Sequence, residues 1–255
     1  MDRTPSGAGP MNRYRLPTHI HLFRGPGSPC SYLPGREATS EWVDPGILHQ
    51  ALYDRLIEAG FRRSGDHVYR PACLGCRACV PVRIPVDRFR PSRRDRRCLR
   101  RNADLESRFA QPGFTEEYFA LYARYLAARH PGGGMDDPDP ADFLQFLTSE
   151  WAETRFLEIR DPRGRLMAVA VTDLLDAGLS AVYTFFEPDE PARGLGNFAI
   201  LEQIRIARER GLDWLYLGYW IEGCRKMAYK ARFLPQQRRI RNTWVEVDGP
   251  PEGAT

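Results

Sequence analysis

The chain has 255 residues, 42% of them hydrophobic and 27% charged, with 37 basic against 33 acidic residues and a formal net charge of +4 at pH 7. That length suits one large domain or two small ones, each with its own core. No apolar run approaches the ~20 residues of a membrane span, and MDRTPSGAGPMNRYR at the N-terminus lacks the apolar centre of a secretory signal, so the expected setting is a reducing cytoplasm without structural disulfides.

Residues 1–29 are rich in Pro, Gly and Ser and read as a loose lead-in, with His19 and His21 on the surface. Cys30 stands beside Tyr32 in the turn-rich stretch PCSYLPG. Asp44 and Pro45 supply an N-cap and a first-turn proline for a helix carrying Leu48, Ala51, Leu52 and Leu56 as far as Gly60. FRRSGDHVYR, residues 61–70, reads as a turn and a short strand. It leads into Cys73, Cys76 and Cys79, each separated from the next by two residues. Soft thiolates so spaced suit a tetrahedral zinc or an iron–sulfur site, with Cys30 as the fourth ligand and with Arg70 and Arg77 lowering the thiol pKa. Small buried hydrophobes are the alternative.

VPVRIPV, residues 80–86, alternates Val82, Ile84 and Val86 on one face, while Pro81 and Pro85 confine it to an edge or a bulge. The tract RFRPSRRDRRCLRR that follows, residues 88–101, holds eight arginines and one acid. That density points to phosphate contacts through Arg93, Arg94, Arg96, Arg97, Arg100 and Arg101. Because Phe89 is the one interleaved aromatic, backbone binding of a structured RNA is expected over stacking of single-stranded bases. A solvated or acid-paired helix is the alternative.

Composition changes near Gln111-Pro112-Gly113, which places a domain boundary at residue 110 and divides the chain into 1–110 and 111–255. Thr115 caps a helix bearing Tyr118, Leu121, Tyr122, Tyr125 and Leu126, which ends before His130-Pro131-Gly132-Gly133-Gly134. Asp139-Pro140 starts another, with Phe143, Phe146 and Leu147 inward. Strands at 154–160, 166–174 and 179–186 follow as an antiparallel meander across the turns Asp161-Pro162-Arg163-Gly164 and Asp176-Ala177-Gly178. Arg193-Gly194-Leu195-Gly196 then opens a helix over 197–210. The strand at 214–219 must lie parallel to the one ending at Phe186, through a right-handed crossover. A short amphipathic helix and a last strand over 239–247 finish the chain.

The stretch WLYLGYWIEGCRKMAYKARFL, residues 214–234, holds both lysines of the chain, Lys226 and Lys230, whereas 35 of the 37 basic residues are arginine. Four residues apart, they would share one helix face. An ammonium shifts its pKa on desolvation as a guanidinium does not. A solvated pair is the alternative.

The order helix, helix, three strands, glycine-rich turn, helix, strand, helix, strand resembles the GCN5-related acyltransferase fold. There the turn Arg/Gln-x-x-Gly-x-Gly/Ala aims backbone N–H groups at the coenzyme A pyrophosphate. Here it reads Arg193-Gly194-Leu195-Gly196-Asn197-Phe198. Phe198 stands where a small residue belongs and would crowd a pyrophosphate, so no coenzyme A is expected. Longer stretches, CSYLPG from Cys30, SGDHVYRP from Ser64, CRACVPVRI from Cys76, YTFFEP from Tyr183 and YLGYWIEGCRKMAYKARF from Tyr216, resemble the bacterial aminoacyl-tRNA–protein transferases, relatives of eukaryotic arginyl-tRNA–protein transferase.

This likeness runs from about residue 19 to 248. It implies an α+β protein with a GCN5-related acyltransferase-like C-terminal domain and a smaller, cysteine-containing N-terminal α+β domain. It also implies transfer of leucine from Leu-tRNA to proteins with N-terminal Asp or Glu, in N-end rule degradation, with neither membrane nor DNA as a partner. Eukaryotic members hold an iron–sulfur cluster or zinc on N-domain cysteines, which carries over to Cys30 and the Cys76/Cys79 region.

An aminoacyl ester is already activated, so such an enzyme must hold a neutral α-amine against the ester carbonyl and stabilise an oxyanion. Tyr183 and Tyr219 are candidate proton relays, and Glu187 and Glu222 candidate bases. Tyr216, Gly218, Trp220 and Tyr229 are candidate substrate contacts between strand edges near Phe186 and Gly218. Arg77, Lys226 or Lys230 would meet the acidic side chain of the acceptor, and Arg193 joins the tRNA-binding arginines. The rival readings are arginyl transfer on the same scaffold, a coenzyme A-dependent N-acyltransferase, and a non-catalytic RNA-binding protein with a cysteine-built metal site.

Overall fold

The structure is a computed structural model and describes residues 19–129 and 138–249. The expected lead-in up to residue 18 and the turn at His130–Gly134 lie outside the described residues. In chain order the elements are β1 (Leu22–Arg24), β2 (Ser28–Pro29), β3 (Glu37–Ala38), β4 (Ser40–Val43), α1 (Gln50–Glu58), β5 (Arg62–Ser64), β6 (His67–Pro71) and β7 (Val80–Pro85). There follow α2 (Arg93–Arg101), β8 (Glu106–Ala110), α3 (Glu116–Arg129), α4 (Pro140–Leu147), β9 (Thr154–Arg160), β10 (Leu166–Leu174), β11 (Gly178–Phe186), α5 (Leu195–Glu209), β12 (Trp214–Trp220), β13 (Gln236–Ile240) and β14 (Thr243–Val247).

Eight strands form one mixed sheet in the order β14-β13-β7-β12-β11-β10-β9-β8, and β1-β4-β6-β5 form a smaller one. Within the large sheet, β10 is buried along nearly its whole length, because both of its faces are covered. Ala168 and Ala170 pack under Leu201 and Ile204 of α5, while Val169 and Val171 meet Tyr122 of α3 and Phe143 of α4. That double cover explains a run, LMAVAVTDL, that does not alternate with polar residues. The parallel pairing is as expected: β11 and β12 run parallel, with α5 between them in the chain.

Strands β7 and β8 lie within residues 1–110 yet belong to the large sheet, so hydrogen bonding joins the two sides of that boundary. The prolines of β7 do not put it at an edge: β12 pairs along its length and β13 pairs at Arg83 and Val82. The residues it offers to β13 lie between Pro81 and Pro85, so neither missing N–H interrupts that ladder. The expected last strand is instead the hairpin β13–β14, turned by Arg241 and Asn242 at φ 48° and 67°. The helix expected from Asp44 is two pieces: Asp44 caps a single turn at Pro45–Ile47, and His49 starts α1 afresh. Thr115 does cap α3, its hydroxyl accepting from the Tyr118 N–H at 3.1 Å.

The N-terminal sheet is tied to the large one by a buried cation. Arg63 on β5 donates through Nε and Nη2 to both carboxylate oxygens of Asp173 on β10, each at 2.6 Å. Tyr53 of α1 and Thr154 of β9 donate to the same carboxylate at 2.6 and 2.8 Å. Both charged side chains are fully buried. Four elements therefore converge on one carboxylate.

Candidate active site

Strands β11 and β12 pair over three residues, Gly178–Ser180 against Trp214–Tyr216, and then part. The carbonyls of Ala181 and Val182 lose β12 as a partner, and Arg62 of β5 takes its place: Nη2 donates to Ala181 O at 3.2 Å and to Val182 O at 2.9 Å. Facing it across the gap is Gly218, at φ +75° in the bulge of β12. A Cβ there would collide with Arg62 Nη1, so glycine is required both by conformation and by contact. Arg62 and Gly218 line one small cleft with Tyr216, Pro81 and Trp244. No carboxylate among the described residues pairs with Arg62.

Beyond the bulge, Tyr219 turns its hydroxyl to Gly60 O at 3.0 Å and its own carbonyl to Lys230, whose Nζ donates to it at 2.8 Å. Lys230 is 6% exposed. Burial, followed by the nearby Arg62 guanidinium and opposed by Cys224, pushes its pKa down to about 7. The Tyr229 ring lies 5.8 Å from Nζ. Hence a fixed cation and a titratable amine stand together at the mouth of the divided sheet, without a paired acid among the described residues.

The segment after β12 is not the expected amphipathic helix. It is a turn followed by a short 3-10 stretch at Ala228–Arg232, which leaves Lys226 exposed while Lys230 is buried. The two lysines therefore do not act as a pair on one face. Tyr183 lies on the α3–α4 side, its ring centroid 5.1 Å from that of Phe146; its hydroxyl is buried without a partner, and burial pushes its pKa far above the ordinary tyrosine range. Glu187 is held by Arg124 at 2.9 Å, and Glu222 is exposed.

Tyr216 has its hydroxyl bonded by Arg83, which is itself stacked 3.7 Å from the Trp214 ring and 4.3 Å from that of Trp244. Trp220 packs with Val82 and Ala231 beneath Arg238. Arg77 is exposed on the cysteine loop. Of the residues expected from sequence, the structure gathers Tyr216, Gly218, Tyr219, Tyr229 and Lys230. It adds Arg62, whose signal lay in the twin arginines of FRRSGD. Successive strand residues face opposite ways, so one guanidinium reaches Asp173 and the other reaches the gap.

Cys30, Cys73, Cys76 and Cys79 share a neighbourhood. Burial and then the proximity of Cys73, Cys30 and Cys76 push the Cys79 thiol up to about 12, the reverse of the lowering expected from arginine; Arg70 is engaged by Glu41 at 2.8 Å instead. Backbone N–H groups of Leu33 and Thr39 donate to the sulfurs of Cys30 and Cys73, and Arg36 donates to that of Cys76. Four thiols suit a soft metal by donor type, but among the described residues no three His, Cys, Asp or Glu side chains are gathered to hold an ion.

On α2, Ser92 and Asp95 form a capping box, which turns Asp95 and Cys98 inward and leaves Arg93, Arg94, Arg96, Arg97, Arg100 and Arg101 toward solvent. None of the six has a carboxylate partner among the described residues. Arg193 does, at 2.8 Å from Asp104. The glycine turn before α5 packs against α2, with Asn102 donating to Arg193 O at 2.9 Å. Phe198 does not crowd that turn: it is 4% exposed and lies in the core.

Among the described residues no helix is long and apolar enough to cross a membrane. Residues 28–97 match the family described as Arginine-tRNA-protein transferase, N terminus, and residues 117–240 match Arginine-tRNA-protein transferase, C terminus. The chain is 51% identical over 240 residues to the aspartate/glutamate leucyltransferase of Stenotrophomonas maltophilia K279a, covering 92% of this chain and 96% of that one. It is 50% identical over 230 residues to that of Teredinibacter turnerae, covering 90% and 95%. Among solved structures, L-PGS from Bacillus licheniformis aligns with a TM-score of 0.43 and 14% identity over 56% of this chain and 47% of its own. The chain belongs to the aminoacyl-tRNA–protein transferase family, with the aspartate/glutamate leucyltransferases.

Proposed function

We propose that the chain moves leucine from Leu-tRNA to the α-amine of proteins with an N-terminal Asp or Glu, in the N-end rule pathway of the cytoplasm. The observation that carries this reading is Arg62, a guanidinium without a paired acid among the described residues, set in the gap between β11 and β12 beside Lys230. A site built around a fixed cation favours an anionic group and repels a cationic one. It therefore suits an acceptor carboxylate and disfavours an arginyl donor, whose side chain would add a further positive charge.

The scaffold is read as a GCN5-related acyltransferase fold. In support stand the parallel β11 and β12, their separation after three paired residues, and the glycine turn opening α5. That turn is packed against α2, whose unpaired arginines suit tRNA phosphates; both points favour aminoacyl-tRNA over coenzyme A as donor. Zinc or an iron–sulfur cluster at Cys30, Cys73, Cys76 and Cys79 stands as a proposal on donor type alone, tested by stoichiometric metal in anaerobically purified protein. The test of the function is a mass-shift assay with an Asp-starting peptide and Leu-tRNA or Arg-tRNA. Addition of one leucyl residue is expected; arginine in its place, or no addition, would overturn the reading.

A further inference from the structure

We propose that Lys230, as the free amine, is the general base that takes a proton from the acceptor's α-ammonium. The inference rests on the leucyl-transfer reading and deepens it by assigning the proton transfer to one atom. Of the two carboxylates, Glu187 is ion-paired through Oε2 with Arg124, which disfavours its taking a proton, while its Oε1 is buried without a partner, and Glu222 is exposed. Lys230 is buried at the divergence of the sheet, and its Nζ is oriented by the Tyr219 carbonyl at 2.8 Å. That hydrogen bond uses one N–H and leaves the lone pair of a neutral amine free.

The groups facing Nζ are Arg62 from β5, Cys224 from the turn after β12 and the Tyr229 ring from its own 3-10 stretch. Among the described residues no carboxylate pairs with it to hold its proton. The depressed pKa agrees with this arrangement, since burial first and the neighbouring Arg62 guanidinium second disfavour the ammonium form. Division of labour follows: Arg62 stays charged for the acceptor's side-chain carboxylate, and Lys230 serves its amine.

Lys230 accepts one proton from the α-ammonium, and the freed amine attacks the ester carbonyl carbon, forming the C–N bond as the π electrons move to oxygen. On collapse, the bond from carbon to the ribose oxygen breaks and that oxygen receives the proton from Lys230. Lys230 then takes the second proton from nitrogen, leaving the amide, and releases it to solvent. No oxidant or other co-reactant is needed.

The composition permits a direct test. Protein labelled with [6-13C]lysine gives two side-chain resonances, and Lys226→Arg assigns them. The Lys230 resonance is expected to titrate near pH 7 in wild-type protein. With Leu-tRNA and an Asp-starting peptide, Lys230→Arg and Lys230→Gln are each expected to lower kcat by roughly 100-fold or more, because neither side chain can accept a proton near neutrality, while KM for the peptide stays within a few fold in Lys230→Gln. A Lys230 titration above pH 9, or Lys230→Arg retaining kcat within a few fold, would overturn the assignment. Absence of leucyl transfer by wild-type protein would instead sink the functional reading beneath it.

Discussion

Arg62 donates to Val182 O at 2.9 Å and so occupies a position that a β12 residue would fill had the two central strands stayed paired. The sheet is thus divided and sealed by the same side chain, which leaves Nη1 toward Gly218 and the cleft. One side chain thus both satisfies the freed carbonyls and lines the cleft beside Gly218.

Gly218→Ala tests that arrangement from the opposite strand. The added methyl meets Arg62 Nη1 at a residue of φ +75°, so the guanidinium must shift. A fall in kcat/KM for Asp-starting peptides of roughly tenfold or more is expected, with Leu-tRNA affinity unchanged in a filter-binding assay.

Asp173→Asn should act on stability. It leaves Arg63 buried and uncompensated, a loss of about 3–5 kcal/mol. At this chain length that corresponds to a drop of roughly 10 °C in Tm, measured by differential scanning calorimetry. A shift under about 2 °C, less than 1 kcal/mol at this size, would remove the pair from its role as the tie between the sheets.

Acid should find a second carboxylate. Burial pushes Glu158 up, but hydrogen bonds from Arg160, Tyr118 and Arg108 hold it at about 2. A depressed folded-state pKa contributes stability that is present above the unfolded value of about 4.3 and lost as pH falls through 2. Glu158→Gln should therefore cost about 3 kcal/mol at pH 7 in urea unfolding, with the difference narrowing progressively below pH 4.

The α2 arginines predict salt dependence. Replacing Arg93, Arg94, Arg96 and Arg97 together by Glu should make the plot of log affinity for Leu-tRNA against log salt shallower, by about one unit for each phosphate no longer neutralised. An unaltered slope would take the tract out of the interface.

Much of the C-terminal half was legible because its signals are local. The Thr115 cap, the turn Asp161-Pro162-Arg163-Gly164 and the apolar stripe of α5 each act within a few residues, and a single helix between two apolar strands dictates their parallel crossing. The site was less legible, since it depends on where pairing stops. Nothing in the one-dimensional pattern says that β11 and β12 part after Ser180, so the free carbonyls that recruit Arg62 could not be read. Glu187 looks available in the sequence, but Arg124, 63 positions away, holds it in the fold. Lys226 and Lys230 look equivalent because a four-residue spacing implies a shared face only if the segment is α-helical.

Arg62 carries the account, and it is tested most directly by the ratio of kcat/KM for Asp-starting over Asn-starting peptides, with Leu-tRNA saturating. Wild-type protein should favour Asp by roughly 10- to 100-fold, the range for a charge-assisted contact. Arg62→Gln should bring the ratio close to one, mainly through KM, and a ratio unchanged by that substitution would contradict the account.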